Sequence, residues 1–231
     1  MTSKAAIVVY GDCQAMVLAS GLKRLPEVTD RFEIFHIWPV RPGEQPDSVS
    51  PVPSAVWKRC HAFWVQVGTS VPPEHYVAEA PDRRITFSSL YLPFTFPFSC
   101  PDVIMRPTPV PARYGHCDPF LVELSEGELT GDAIYYRYEE LNQRHLVAID
   151  RALESGSKLM NERDADASVK IAGYAIAHTC ERRLMWTAAH PAEAMSAVQL
   201  DRMLRVTFPG EVNRGGRCFA PVNAHSPSPT N

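Results

Sequence analysis

The apolar run "AAIVVY" at residues 5–10 passes directly into "GDCQ" and then into a helical pattern, and this junction constrains the fold more than any other stretch. A continuous apolar run of strand length is the mark of a strand buried on both faces, as in parallel sheets covered by helices. In "QAMVLASGLKRL" the residues Val17, Leu18, Leu22 and Leu25 recur at helical spacing, and Pro26 closes the pattern. "RFEIFHIW" reads as a second strand, "HAFWVQVG" as a third and "RRITFSSLYL" as a fourth. A strand–helix–strand opening needs a crossover connection, so the sheet is expected to be parallel and the first hundred or so residues to be α/β.

After residue 122 the pattern becomes helical. "DAIYYRYEELNQRHLVAIDRALESG" places Ile134, Tyr138, Leu141, Ile149 and Leu153 near a period of 3.6 and is expected to end at Gly156. "DADASVKIAGYAIAHTCERRLMW" repeats the pattern, and "PAEAMSAVQLDRMLRV" opens a last helix with Pro191 in its first turn. The expected organisation is an α/β part at 1–121, a largely helical part at 122–215 and a disordered tail at 216–231. The 21 prolines gather at 38–54, at 92–115 and in the tail. These stretches cannot be helix interiors, because proline lacks the amide donor, and they read as long ordered loops.

A chain of 231 residues is long enough to bury a core without disulfides. Its six cysteines are scattered with no CxxC pair, which favours reduced thiols over a disulfide framework or structural zinc. The net charge of −3, with no basic block, argues against a nucleic-acid partner. No apolar run of about 18 residues offers a membrane span. The N-terminal apolar stretch is shorter than a signal core, so a cytoplasmic location is expected.

In an open α/β sheet, ligands bind outside the carboxyl ends of the strands. Cys13 lies at such an end, at the first strand-to-helix turn. Two readings compete: a small core residue at a tight turn, and a nucleophile. A helix N-terminus stabilises a thiolate, whereas Asp12 opposes it, so strong activation requires a histidine partner. The backbone amides of Cys13 and Gln14 are candidate donors to an oxyanion. Among eight histidines, His190 stands out. It precedes Pro191, which holds its backbone out of the helical region and places it in a loop or cap. The competing reading is a capping residue. His116 is the second candidate, as base or ligand contact; His178 falls within a helical pattern and His225 in the tail.

The chain resembles the WcbI-type family of capsular polysaccharide acetyltransferases. "VVYGDCQAMVLASGL" is similar to that family's opening strand, G-N-C-Q signature and first helix, with Asp12 in place of asparagine. "HAFWVQVG" is similar to its next strand, which ends in a glutamine, here Gln66. "ITFSSLYLPFTFPFSCPD" resembles the segment leading to a Pro-Asp pair, and "RRLMWTAAHPAEAMSAVQLDRML" the late T-x-x-H-P segment with its closing helix. These matches keep their order from about residue 5 to 205.

The resemblance implies a small Rossmann- or SGNH-like parallel sheet and an enzyme that transfers an acyl group, with acetyl the expected one, from coenzyme A to a sugar hydroxyl. Its acyl donor would be acetyl-CoA and its acceptor a carbohydrate precursor of a polysaccharide. Cys13 would be the nucleophile or central thiol and His190 the general base, with Gln14, Gln66 and His116 contacting the bound acyl-CoA. "GDC" also reads like the G-D-S block of SGNH hydrolases, but position 187 is threonine where those enzymes carry aspartate. Arg83, Arg84, Arg113, Arg182 and Arg183 are candidates for the coenzyme A phosphates. A cysteine esterase or thioesterase, and a non-catalytic coenzyme A or carbohydrate-binding protein, remain the alternatives.

Overall fold

The computed structural model describes residues 3–39, 52–68, 72, 74–79, 84–92, 95, 100–101, 116–125, 127–144, 149–187 and 189–211. Most of the two internal proline-rich stretches and the expected tail at 216–231 lie outside these.

The chain opens with strand β1 (Ala5–Tyr10), helices α1 (Cys13–Lys23) and α2 (Pro26–Thr29), and strand β2 (Phe32–Ile37). Helix α3 (Ser54–Trp57), strand β3 (Cys60–Val67), helix α4 (Glu74–Glu79) and strand β4 (Arg84–Ser88) follow. The four strands form one parallel sheet in the order β2-β1-β3-β4. The strand order therefore reverses between β1 and β3, the kind of point outside whose strand ends open α/β sheets bind their ligands.

Alternate residues of β1 serve opposite faces, as the strand period requires. Ile7 and Val9 pack with Ala15, Leu18, Ala19 and Leu22 of α1. Ala6, Val8 and Tyr10 pack with Val56 and Trp57 of α3 and with Tyr76 of α4. Both faces are covered, which explains why the run is apolar throughout. Val17, expected on the buried side of α1, is instead 43% exposed, and Ala15 and Ala19 take up the packing.

The second half contains a short antiparallel pair, β5 (Cys100–Pro101) with β6 (His116–Cys117), followed by helices α5 (Pro119–Ser125), α6 (Asp132–Arg144), α7 (Ile149–Ala165) and α8 (Ala172–His178). Strands β7 (Met185–Thr187) and β8 (His190–Pro191) then form a second antiparallel pair, and α9 (Glu193–Thr207) ends the described elements. The mixed α/β architecture with a helical second half matches the expectation. Three local readings change. Gly156 does not stop a helix but lies buried within α7. Pro191 belongs to β8, and α9 starts two residues later. The segment between α7 and α8 leaves the helix to pair along the edge of the sheet, where Val169 N–H donates to Thr86 O at 2.9 Å.

Two buried contacts fasten the helical half to the sheet. Trp64 Nε1 on β3 donates to Thr207 Oγ1 on α9 at 3.0 Å. Asp164, 3% exposed at the end of α7, accepts from the Ser88 hydroxyl on β4 and from the main-chain N–H groups of Ile171 and Ala172 at the start of α8. One carboxylate thus caps a helix and ties it to a strand. A third cluster, built from Leu90, Leu92, Met160, Ile171, Ala175, Leu184, Met185 and Met195, packs the chain after β4 against α7, α8, β7 and α9. Replacing Asp164→Ala strands three buried donors, and equilibrium denaturant unfolding is expected to show a loss of about 3 kcal/mol.

Candidate functional site

The turn after β1 is built around Gly11. Its φ of +151° is one that side chains rarely adopt, and a Cβ there would lie 2.4 Å from Gln66 Oε1 and 2.7 Å from the Ala15 Cβ. That space lets Gln66, fully buried at the end of β3, approach the turn and accept from Asp12 N–H at 2.9 Å. Asp12 is the N-cap of α1, its Oδ1 accepting from Gln14 N–H at 2.9 Å. Gln66 Nε2 has no partner among the described residues.

Gln14, 3% exposed, points from the first turn of α1 into the sheet's carboxyl edge. Its Oε1 accepts from Leu90 N–H at 2.9 Å, and its Nε2 donates to Leu90 O and to Ala189 O, each at 2.7 Å. Both amide donors are therefore used on main chain, one of them on the residue that precedes His190. The strand β8 also packs against α1. Cys13 and His190, 177 positions apart by subtraction, flank the two ends of a single hydrogen bond. The thiol is half-buried and the imidazole exposed, on segments that this bond holds together.

The Cys13 thiol is held above its ordinary pKa, first by burial and next by the Asp12 carboxylate, which it also meets as a hydrogen-bond partner. The amides of Gln14 and Cys13 pull the other way and lose. This agrees with the sequence reading that Asp12 opposes the helix N-terminus: the resting group is a thiol that needs a base. The amides expected to face an oxyanion are turned on the sulfur and, for Gln14, on the Asp12 cap.

His190 is oriented by Thr187. Its Nδ1 lies 2.7 Å from Thr187 Oγ1, which also accepts from His190 N–H at 3.2 Å. Nε2 has no partner among the described residues. The position that reads in the sequence as a missing aspartate thus carries the imidazole's hydrogen-bond partner. His36 was not among the sequence candidates. Half-buried at the end of β2, it donates from Nε2 to Gly11 O at 3.0 Å, and burial depresses its pKa. Only its place at a strand's carboxyl end signals it in the sequence.

His116 is described by its backbone alone, paired with Pro101. His178 contacts Glu181 and the Tyr174 ring on the surface of α8. Arg83, Arg113 and His225 fall outside the described residues. Arg84 and Arg182 are exposed, and Arg183 lies over the Trp186 ring at 5.2 Å. Cys60 has its thiol pushed up to about 11 by burial, which leaves it inert. Among the described residues, no cluster of metal-ligating side chains occurs, and no helix is long and apolar enough to cross a membrane.

No protein-family profile and no curated protein matches the sequence. Among solved structures, the fold is similar to WcbI, described as a novel polysaccharide biosynthesis enzyme, in its native form without a disulfide bond between coenzyme A and a cysteine. The TM-score is 0.66 at 19% identity, covering 89% of this chain and 70% of that one. The two are distant structural relatives with a common α/β architecture.

Asp12→Asn keeps an oxygen for the α1 cap but removes the charge beside the sulfur. The rate of Cys13 alkylation by iodoacetamide is expected to rise at lower pH than in the parent protein, because the carboxylate's upward pull on the thiol is gone.

Proposed function

We propose that the protein is an acyl-coenzyme A-dependent O-acyltransferase that acts on a sugar hydroxyl through Cys13 and His190. One observation supports the reading: Gln14, next to Cys13, donates to Ala189 O, next to His190, and so ties the thiol turn to the segment that carries the imidazole. The structural likeness to WcbI, a polysaccharide biosynthesis enzyme solved in connection with coenzyme A, supports the donor and acceptor classes. Acetyl is the acyl group that the sequence resemblance favours.

In this mechanism His190 Nε2 takes the proton from the Cys13 thiol as sulfur attacks the thioester carbonyl. The bond to the coenzyme A sulfur breaks, and the departing thiolate collects that proton from the imidazolium. The acceptor hydroxyl then gives its proton to Nε2 while its oxygen attacks the acyl-cysteine. Proton return to sulfur restores the thiol. If His190 instead deprotonates the acceptor directly, the same groups serve without an acyl-cysteine, and Cys13 contacts the thioester. Gln66 Nε2, buried and unpartnered among the described residues, is the side-chain amide that this reading assigns to the bound acyl donor. His116 is retained as a ligand contact through its place in the loop-borne pair.

The hydrolytic reading uses the same thiol and imidazole with water as the acceptor, and the strand-end G-D-C favours it as the second choice. Acetyl-coenzyme A turnover, followed by thiol release, separates them. Release that depends on added sugar acceptor is expected, whereas equal release without acceptor makes the protein a hydrolase. Cys13→Ala and His190→Ala are each expected to lower transfer by at least about 100-fold. Binding of acetyl-coenzyme A with no turnover in the parent protein contradicts both enzymatic readings.

A further inference from the structure

We infer that His36 and Gln66 are a positioning pair for Cys13, gripping the two ends of the single peptide group that leads from Gly11 into Asp12. This rests on the proposed role of Cys13 and adds to it the side chains that hold its turn. Gly11 O and Asp12 N–H belong to one peptide, and in a trans peptide they point in opposite directions. His36 Nε2 lies 3.0 Å from Gly11 O, and Asp12 N–H donates to Gln66 Oε1 at 2.9 Å. His36 comes from β2 and Gln66 from β3, the two neighbours of β1 in the sheet. Just before this peptide, Gly11 N–H still donates to Ile37 O at 3.1 Å, main chain to main chain. Side chains thus take over where the strand ladder stops, directly before the thiol.

A carbonyl oxygen only accepts, so the Nε2 that faces it carries the ring proton. Burial outweighs the Gly11 and Asp12 carbonyls, which favour the charged form, and the ring is neutral at neutral pH. Its one N–H is then committed to Gly11. Gln66 is fully buried, with Oε1 committed to Asp12. Glycine at position 11, with its φ of +151°, leaves this peptide little resistance of its own to rotation. A half-turn would aim Gly11 O at Gln66 Oε1 and Asp12 N–H at the His36 N–H. Both partners would have to reverse together, and that requirement is the lock. It fixes the peptide from which Asp12 caps α1 and Cys13 begins it.

Two arms of the test do not depend on turnover. In ¹⁵N-detected imidazole spectra of the full parent chain, the His36 proton is expected on Nε2, and a ring protonated on Nδ1 overturns the inference. His36→Phe keeps a flat ring against the Trp38 edge and loses the donor, whereas His36→Gln keeps an N–H at similar reach. Amide hydrogen exchange is then read at Asp12, whose N–H bonds Gln66 and not His36. The phenylalanine variant is expected to speed Asp12 exchange at least about 10-fold while Val8 and Val9, inside β1, stay within about twofold. The glutamine variant is expected to bring Asp12 back near the parent rate. Unchanged Asp12 exchange in His36→Phe, or equal acceleration at all three amides, overturns the inference. In acetyl transfer, His36→Phe is expected to lower kcat roughly 10-fold with KM for the acyl donor within about twofold, and His36→Gln to recover most of the loss. An unchanged kcat in His36→Phe overturns the role toward Cys13. Absence of transfer in the parent overturns the proposed function instead, and the exchange pattern still decides whether the peptide is clamped.

Discussion

The buried side-chain amide of Gln14 is the interaction on which the site depends. It contacts three main-chain groups from two remote parts of the chain: the N–H and carbonyl of Leu90, just after β4, and the carbonyl of Ala189, just before His190. Leaving any of these groups unpaired in the interior would cost about 1–3 kcal/mol. The amide therefore specifies where the end of the sheet and the late hairpin lie relative to the first turn of α1. Around it the apolar clusters supply adhesion without direction. The hydrogen bonds supply the register that sets Cys13 beside the segment of His190.

The electrostatics of the turn are unusual for a thiol at a helix start. Burial and Asp12 outweigh the favourable amides, so the sulfur keeps its proton. A neutral thiol next to a carboxylate resists casual alkylation and oxidation, since the thiolate is the reactive form. Reaction then requires a base brought by the other half of the chain. His190 answers that need in the proposed mechanism, with its ring tied to Thr187.

Much of the sheet was legible because each strand is a compact apolar segment between breakers, and β1 through β4 appear close to where the patterns place them. The helical half was less legible. The pattern around Gly156 suggested a stop, yet α7 runs through the residue, which is buried. The stretch "DADASVK" looked helical, but Asp164 spends its carboxylate on the start of α8 while the next residues pair with Thr86, contacts between distant positions that no local pattern encodes. At the site, Cys13 and His190 were visible from local signals, a strand end and a following proline. Thr187 and Leu90 were not, since one acts through a hydrogen bond made by the fold and the other through its backbone alone. His36 was hidden for the same reason.

The most direct test is a crystal structure of the chain with coenzyme A bound. The account predicts the coenzyme A sulfur at the carboxyl ends of β1 and β3, against Cys13 Sγ and facing the His190 ring. A coenzyme A molecule whose sulfur points away from that edge, with Cys13 and His190 opening to different surfaces, would contradict it.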